Sequence, residues 1–133
     1  MKRLFLLVVL CILCLTACHQ EYRTVTREDI VAAYEAAGYS VWSEVYDEEM
    51  EFGQIAAVQA NHPDGDYIYF TFFETEEAAK AYEKELDHPI TKGLFSIIYG
   101  KPMWVRMETY GCLVVEYWIP EYMEPFEWLL KGK

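Results

Sequence analysis

The side chains able to do chemistry are few and scattered. Histidines stand at His19, His62 and His88. No two share the i,i+4 spacing that sets a pair of zinc ligands on one helix face. His62 lies within Asn61-His62-Pro63-Asp64-Gly65, which is dense in turn formers. His88 precedes Pro89 at an expected helix end, where it favours the helix dipole. A Ser-His-Asp site would have to pair Ser40, Ser43 or Ser96 with a turn histidine, and no nucleophile-elbow sequence accompanies any of them. The acidic run Asp47-Glu48-Glu49-Met50-Glu51 and Asp64-Gly65-Asp66 invite a calcium reading. With Gly65 as the loop glycine, however, ligand places fall on Ala60, His62 and Thr71, and the motif fails. No catalytic, cofactor-binding or metal-binding residue is assigned, and no cofactor is expected.

Cysteine carries the most specific signal. Met1-Lys2-Arg3 is followed by the apolar run Leu4 to Leu15 and then by Leu15-Thr16-Ala17-Cys18. Positive charge followed by a short apolar run is the pattern of a secretion signal. The run falls short of the roughly 20 residues that cross a bilayer. The tetrapeptide resembles the lipobox of bacterial lipoproteins. That resemblance implies lipid attachment at Cys18, with acyl chains such as palmitate, and removal of residues 1–17 as a signal peptide. Two acyl chains give stable anchoring where one does not. Residues 18–25 then form a lipidated tether, and 26–133 a single domain. The seven residues from His19 to Val25 reach roughly 25 Å when extended. The expected location is the cell membrane on its extracytoplasmic side. With His19 rather than Asp after the cysteine, it would be the outer membrane if the host is Gram-negative.

The signal also removes Cys11 and Cys14, so an intramolecular disulfide has no second partner for Cys112. Beside Leu113-Val114-Val115, Cys112 reads as a small buried hydrophobe. Lys2 and Arg3 leave with the signal, which moves the formal net charge from -11 to -13. That balance excludes nucleic acid, whose phosphates need Lys and Arg. It also speaks against docking onto anionic lipid through a polybasic segment, so the lipid is expected to hold the domain alone.

The elements that must position any site read as α+β. Thr26-Arg27-Glu28-Asp29 matches a capping box, opening a helix from Arg27 to Ala37 that Gly38 stops. Strands are expected at 41–46, 55–60 and 66–73, the last apolar on both faces as befits a sheet centre. Thr75 caps a second helix, Glu76 to Leu86, with Glu76 and Lys80 paired at i,i+4. Three further strands are expected at 94–99, 103–109 and 112–118, the last two joined by a tight turn at Tyr110-Gly111. Pro125 sits in the first turn of a closing helix, 124–131. The expectation is a single antiparallel sheet with helices on one face. The order suggests two pseudo-repeated helix-plus-three-strand units, with Ala33-Tyr34-Glu35 matching Ala81-Tyr82-Glu83. The run from Tyr69 to Tyr82 resembles a strand-to-helix passage of small uncharacterised lipoproteins of Gram-positive bacteria, a likeness that implies no activity.

Aromatic content is the remaining functional cue. The mature chain keeps all four Trp, all eleven Tyr and six of seven Phe, and Tyr and Trp are favoured at binding surfaces. Alternation along 103–110 puts Trp104, Arg106, Glu108 and Tyr110 on one strand face and Met103, Val105 and Met107 on the other. With the Met/Val face as core, Trp104, Arg106 and Glu108 form the expected partner surface. Glu116 conflicts with that choice, because a two-residue turn sets it on the face of Val105. The chain is expected to be a membrane-anchored, non-enzymatic module binding an envelope protein, peptide or glycan. The alternative is a small envelope hydrolase using paired carboxylates.

Overall fold

A reciprocal cap begins the fold. The Asp29 N–H donates to Thr26 Oγ1 at 3.1 Å, and the Thr26 N–H donates to Asp29 Oδ2 at 3.0 Å. These bonds satisfy donors that a helix start leaves unpaired. Helix α1 runs Arg27–Ala36. Gly38, at φ +89°, turns the chain into β1, Ser40–Val45. The computed structural model describes residues 24–88, 93–94, 97–98 and 105–132. After β1 come β2 (Gln54–Asn61), β3 (Tyr67–Phe73), α2 (Glu76–Leu86), β4 (Arg106–Tyr110), β5 (Leu113–Tyr117), a 3-10 turn (Pro120–Met123) and α3 (Glu124–Leu130).

The five strands form one antiparallel sheet in the order β1-β2-β3-β5-β4. β3 is central, as its two-sided apolar character requires: Ile68 and Phe70 are buried on one face, Thr71 and Phe73 on the other. The register slips between Gln54 and Ala56, leaving Ile55 as the extra residue of a bulge. The β4–β5 hairpin closes on the pair Tyr110–Leu113, so its turn is Gly111-Cys112, one residue later than expected. Gly111 takes the first central place at φ +60°, a conformation that only glycine adopts freely.

The α+β class and the single antiparallel sheet are as expected; the layering differs. On one face, Ile30 and Tyr34 of α1 and Phe126 of α3 pack with Val58, Ala60, Ile68, Phe70 and Val115 into the main core. On the opposite face α2 lies over β3, β5 and β4, where Ala79 and Tyr82 meet Phe73, Val114 and Met107. Both faces of the sheet centre therefore find an apolar cover. Tyr34 and Tyr82, the matching positions of the two helices, both point at the sheet, but from opposite sides.

The expected strand 94–99 is not formed at its described residues. Leu94, Ile97 and Ile98 are helical. The second unit therefore contributes two described strands where the first contributes three, so the expected pair of helix-plus-three-strand units is not matched among the described residues. Among the described residues no helix is long and apolar enough to cross a membrane.

Candidate functional site

Of the residues singled out from sequence, Cys18 and Trp104 lie outside the described residues. Arg106, Glu108 and Tyr110 do share one face of β4, as alternation requires, and Arg106 is exposed. That face is not outward. It belongs to the side carrying α1 and α3, and the Tyr110 ring meets Phe126 at 5.0 Å between centroids. Glu108 is engaged at both oxygens: Tyr110 Oη donates to Oε2 at 2.5 Å and Tyr117 Oη to Oε1 at 2.7 Å. Glu116 pairs across from Met107 and lies on the α2 face, which resolves the conflict noted in the sequence. The choice between faces failed because helices cover both.

The face carrying α2 offers a different surface. α2 covers the β3–β5–β4 side, and the β1–β2 side presents Trp42 and Glu44 from β1 and Gln59 from β2. Register sets Trp42 opposite Gln59, and Gln59 opposite Tyr69. Trp42 is 46% exposed and Glu44 is exposed. Gln59 Nε2 donates to Asn61 Oδ1 at 2.7 Å, which fixes the amide's direction. Deeper in, Tyr46, Tyr69 and Tyr82 gather near Glu116. Burial drives the Tyr69 phenol well above its ordinary range, helped by its hydrogen bond with Tyr46 and by the charges of Glu116 and Glu44. Burial, followed by the charge of Glu116, does the same to Tyr82. Thr71 Oγ1, which faces the Tyr82 hydroxyl, is buried without a hydrogen bond of ordinary geometry. None of the described strand residues on this face is basic. It is therefore an aromatic surface with a negative field, suited to positively charged side chains through carboxylate pairing and ring-face contacts.

Sequence reasoning missed this surface, since Trp42 read only as part of a short strand. Ser40, Trp42 and Glu44, alternating with Val41, Ser43 and Val45, were the available signal. β1 lies at the sheet edge. Its ladder side bonds through even-numbered residues, as the Tyr46 N–H to Ile55 carbonyl bond shows. By alternation the backbone groups of Val41, Ser43 and Val45 point away from the sheet.

At the other end of the main core, His62 is a packing residue. Its ring stacks on Tyr122 at 4.7 Å and meets Tyr39 edge-on at 5.0 Å. Its Nδ1 accepts from the Asp64 N–H at 3.1 Å. His88 follows the C-cap of α2, where the sequence placed it. Cys112 is exposed rather than buried, because the hairpin turn takes it out of the apolar run. No cluster of three metal-ligating side chains occurs among the described residues. Compared with protein-family models, curated proteins and solved structures, the chain matches none.

Proposed function

We propose that this chain is a lipoprotein held at the extracytoplasmic face of a cell membrane by acyl chains on Cys18, and that its domain is a binding module. The partner is an envelope protein or peptide with a basic segment, and the surface is the Trp42–Glu44–Gln59 side of the sheet. The observation that carries the binding site is Trp42. It is large, half exposed and set beside an exposed carboxylate on an edge strand, where a purely structural aromatic would be covered. The signal-like opening and lipobox carry the location. The half-buried carboxylates Glu108 and Glu83 accept from hydroxyls, Glu83 from Thr109 Oγ1, a structural use of these two acid groups.

Two measurements test the reading. Replacing Cys18 by Ala is expected to abolish fatty-acid labelling and signal removal. A variant that still matures with acyl chains attached refutes the anchor. Short Lys- and Arg-rich peptides titrated against the protein should quench Trp fluorescence and bind less tightly as salt rises. Trp42→Ala should weaken binding about tenfold, within the range of a desolvated cation–ring contact. Equal binding by wild type, Trp42→Ala and Glu44→Gln would remove this surface from consideration.

A further inference from the structure

An edge strand offers a row of backbone N–H and C=O groups to any strand that comes beside it, and proteins commonly blunt such an edge with Pro, Lys or a bulge. β1 has none of these. Ser40-Val41-Trp42-Ser43-Glu44-Val45 holds no Pro and no Lys, and its pairing with β2 runs without interruption from Ser40–Asn61 to Val45–Ala56. Among the described residues no strand pairs with its outer side. The N–H and C=O groups of Val41, Ser43 and Val45 point that way. Two large apolar side chains of this strand are also exposed, Trp42 at 46% and Val45 at 53%. They stand on opposite faces of the sheet. A ligand lying on one face would cover one of them. A strand laid along the edge covers both, because its own side chains alternate.

We infer that β1 takes its partner by strand addition: an extended segment alternating Lys or Arg with β-branched residues pairs antiparallel with residues 41–45 and extends the five-stranded sheet by one. This rests on the basic partner proposed above and gives the mode and register of its binding. Residues opposite Val41, Ser43 and Val45 exchange backbone hydrogen bonds with them. Residues opposite Trp42 and Glu44 form the non-hydrogen-bonded pairs, whose Cα atoms approach to roughly 4.5 Å. Those two places lie on the aromatic, acidic face and take the cations, one over the indole and one against the carboxylate. The alternate places lie on the face of Val41 and Val45 and take apolar side chains. Arg27 donates to Ser43 Oγ on that second face at 2.9 Å, which disfavours a cation there. Antiparallel pairing brings the N-terminal end of the segment towards Asp47, Glu48, Glu49 and Glu51, all exposed beyond the end of β1, so a further cation is favoured at that end. A second copy of the chain, pairing β1 with β1, would bring together two chains of formal net charge -11, and like charge opposes that approach.

The test uses the full-length protein in neutral detergent and the peptide acetyl-KVKVRVT-amide, whose residues fall opposite positions 46 down to 40 in that order. Saturating peptide should slow amide hydrogen exchange at Val41, Ser43 and Val45 by about tenfold or more. Exchange at Trp42 and Glu44, whose N–H groups β2 already holds, should barely change. N-methylation of the central valine, whose N–H points at Ser43, should weaken binding about tenfold, whereas N-methylation of the lysine opposite Glu44, whose N–H points away, should not. Val45→Pro removes one outward N–H at an exposed edge position, where Pro is tolerated. It should also weaken binding about tenfold, with the thermal midpoint kept. Binding that needs Trp42 and Glu44 but ignores N-methylation, with the three outward amides unslowed, overturns strand addition and leaves the proposed surface standing. No binding, or equal binding by Trp42→Ala and Glu44→Gln, sinks the surface itself. Protection of the three amides without peptide, growing with protein concentration, overturns the peptide partner in favour of a β1–β1 dimer.

Discussion

Thr71 is a small anomaly with a measurable consequence. It is the one buried polar side chain besides tyrosines among the described core residues, 3% exposed, and its hydroxyl, facing that of Tyr82, has no hydrogen bond of ordinary geometry. An unpartnered buried hydroxyl costs about 1–3 kcal/mol. Thr71→Val keeps the branched shape and should therefore be neutral or stabilising by about 1 kcal/mol in urea denaturation. A loss of more than about 1 kcal/mol would mean that the hydroxyl is bonded after all. Such details were hidden in the sequence. The alternation that groups Arg106, Glu108 and Tyr110 is local and was legible, as was Glu116's place on the face of Val105 and Met107, though not its pairing with Met107. What covers each face depends on partners such as Phe126, distant along the chain. In the same way Tyr34 Oη donates to the Tyr122 carbonyl at 2.6 Å across 88 positions, and no local pattern announces that bond.

Local chemistry marked the helical elements closely. The Thr26 and Thr75 caps, the Glu76–Lys80 pair at 2.7 Å and Gly38 all act within four residues of their targets. Thr26→Ala removes one half of a reciprocal cap and should cost about 1 kcal/mol, read as a lower thermal midpoint with an unchanged folded spectrum. An unaltered midpoint would assign the start of α1 to tertiary packing alone. At Leu94, Ile97 and Ile98 a helical conformation stands where a strand was expected, because short apolar runs carry no decisive period. Leu94, Ile97 and Ile98 fit a helix turn as readily as a strand. The side of the sheet on which α2 lands was also illegible, since both faces of β3 are apolar and either could receive it. For the same reason the proposed partner surface lies on β1 and not on β4.

At the scale of the whole molecule, the buried phenols set an alkaline limit. Burial raises Tyr34 and Tyr82 above their ordinary value of 10.0. A raised folded-state value means that the native protein holds these protons more tightly than the unfolded chain does. The resulting stability is fully present below pH 10 and declines as pH climbs towards the folded-state values. Each of these tyrosines contributes a slope of at most about 1.4 kcal/mol per pH unit. Chemical denaturation at pH 8, 10 and 11 should show stability flat over the first interval and falling over the second, with phenolate absorbance rising late and together with unfolding. Tyrosines that all ionise near pH 10 in a folded protein would contradict this. The strand order carries one more consequence, for the speed of folding. β1, β2 and β3 join through short loops, as do β4 and β5, so each group can zip up locally within microseconds. Only the β3–β5 ladder bridges a long gap, from Phe73 to Leu113. Closing a loop of about 40 residues costs roughly 3 kcal/mol of chain entropy before any contact repays it. The docking of the hairpin onto β3 is then the slow step of folding, and until it occurs the β3 edge is open to the wrong strand.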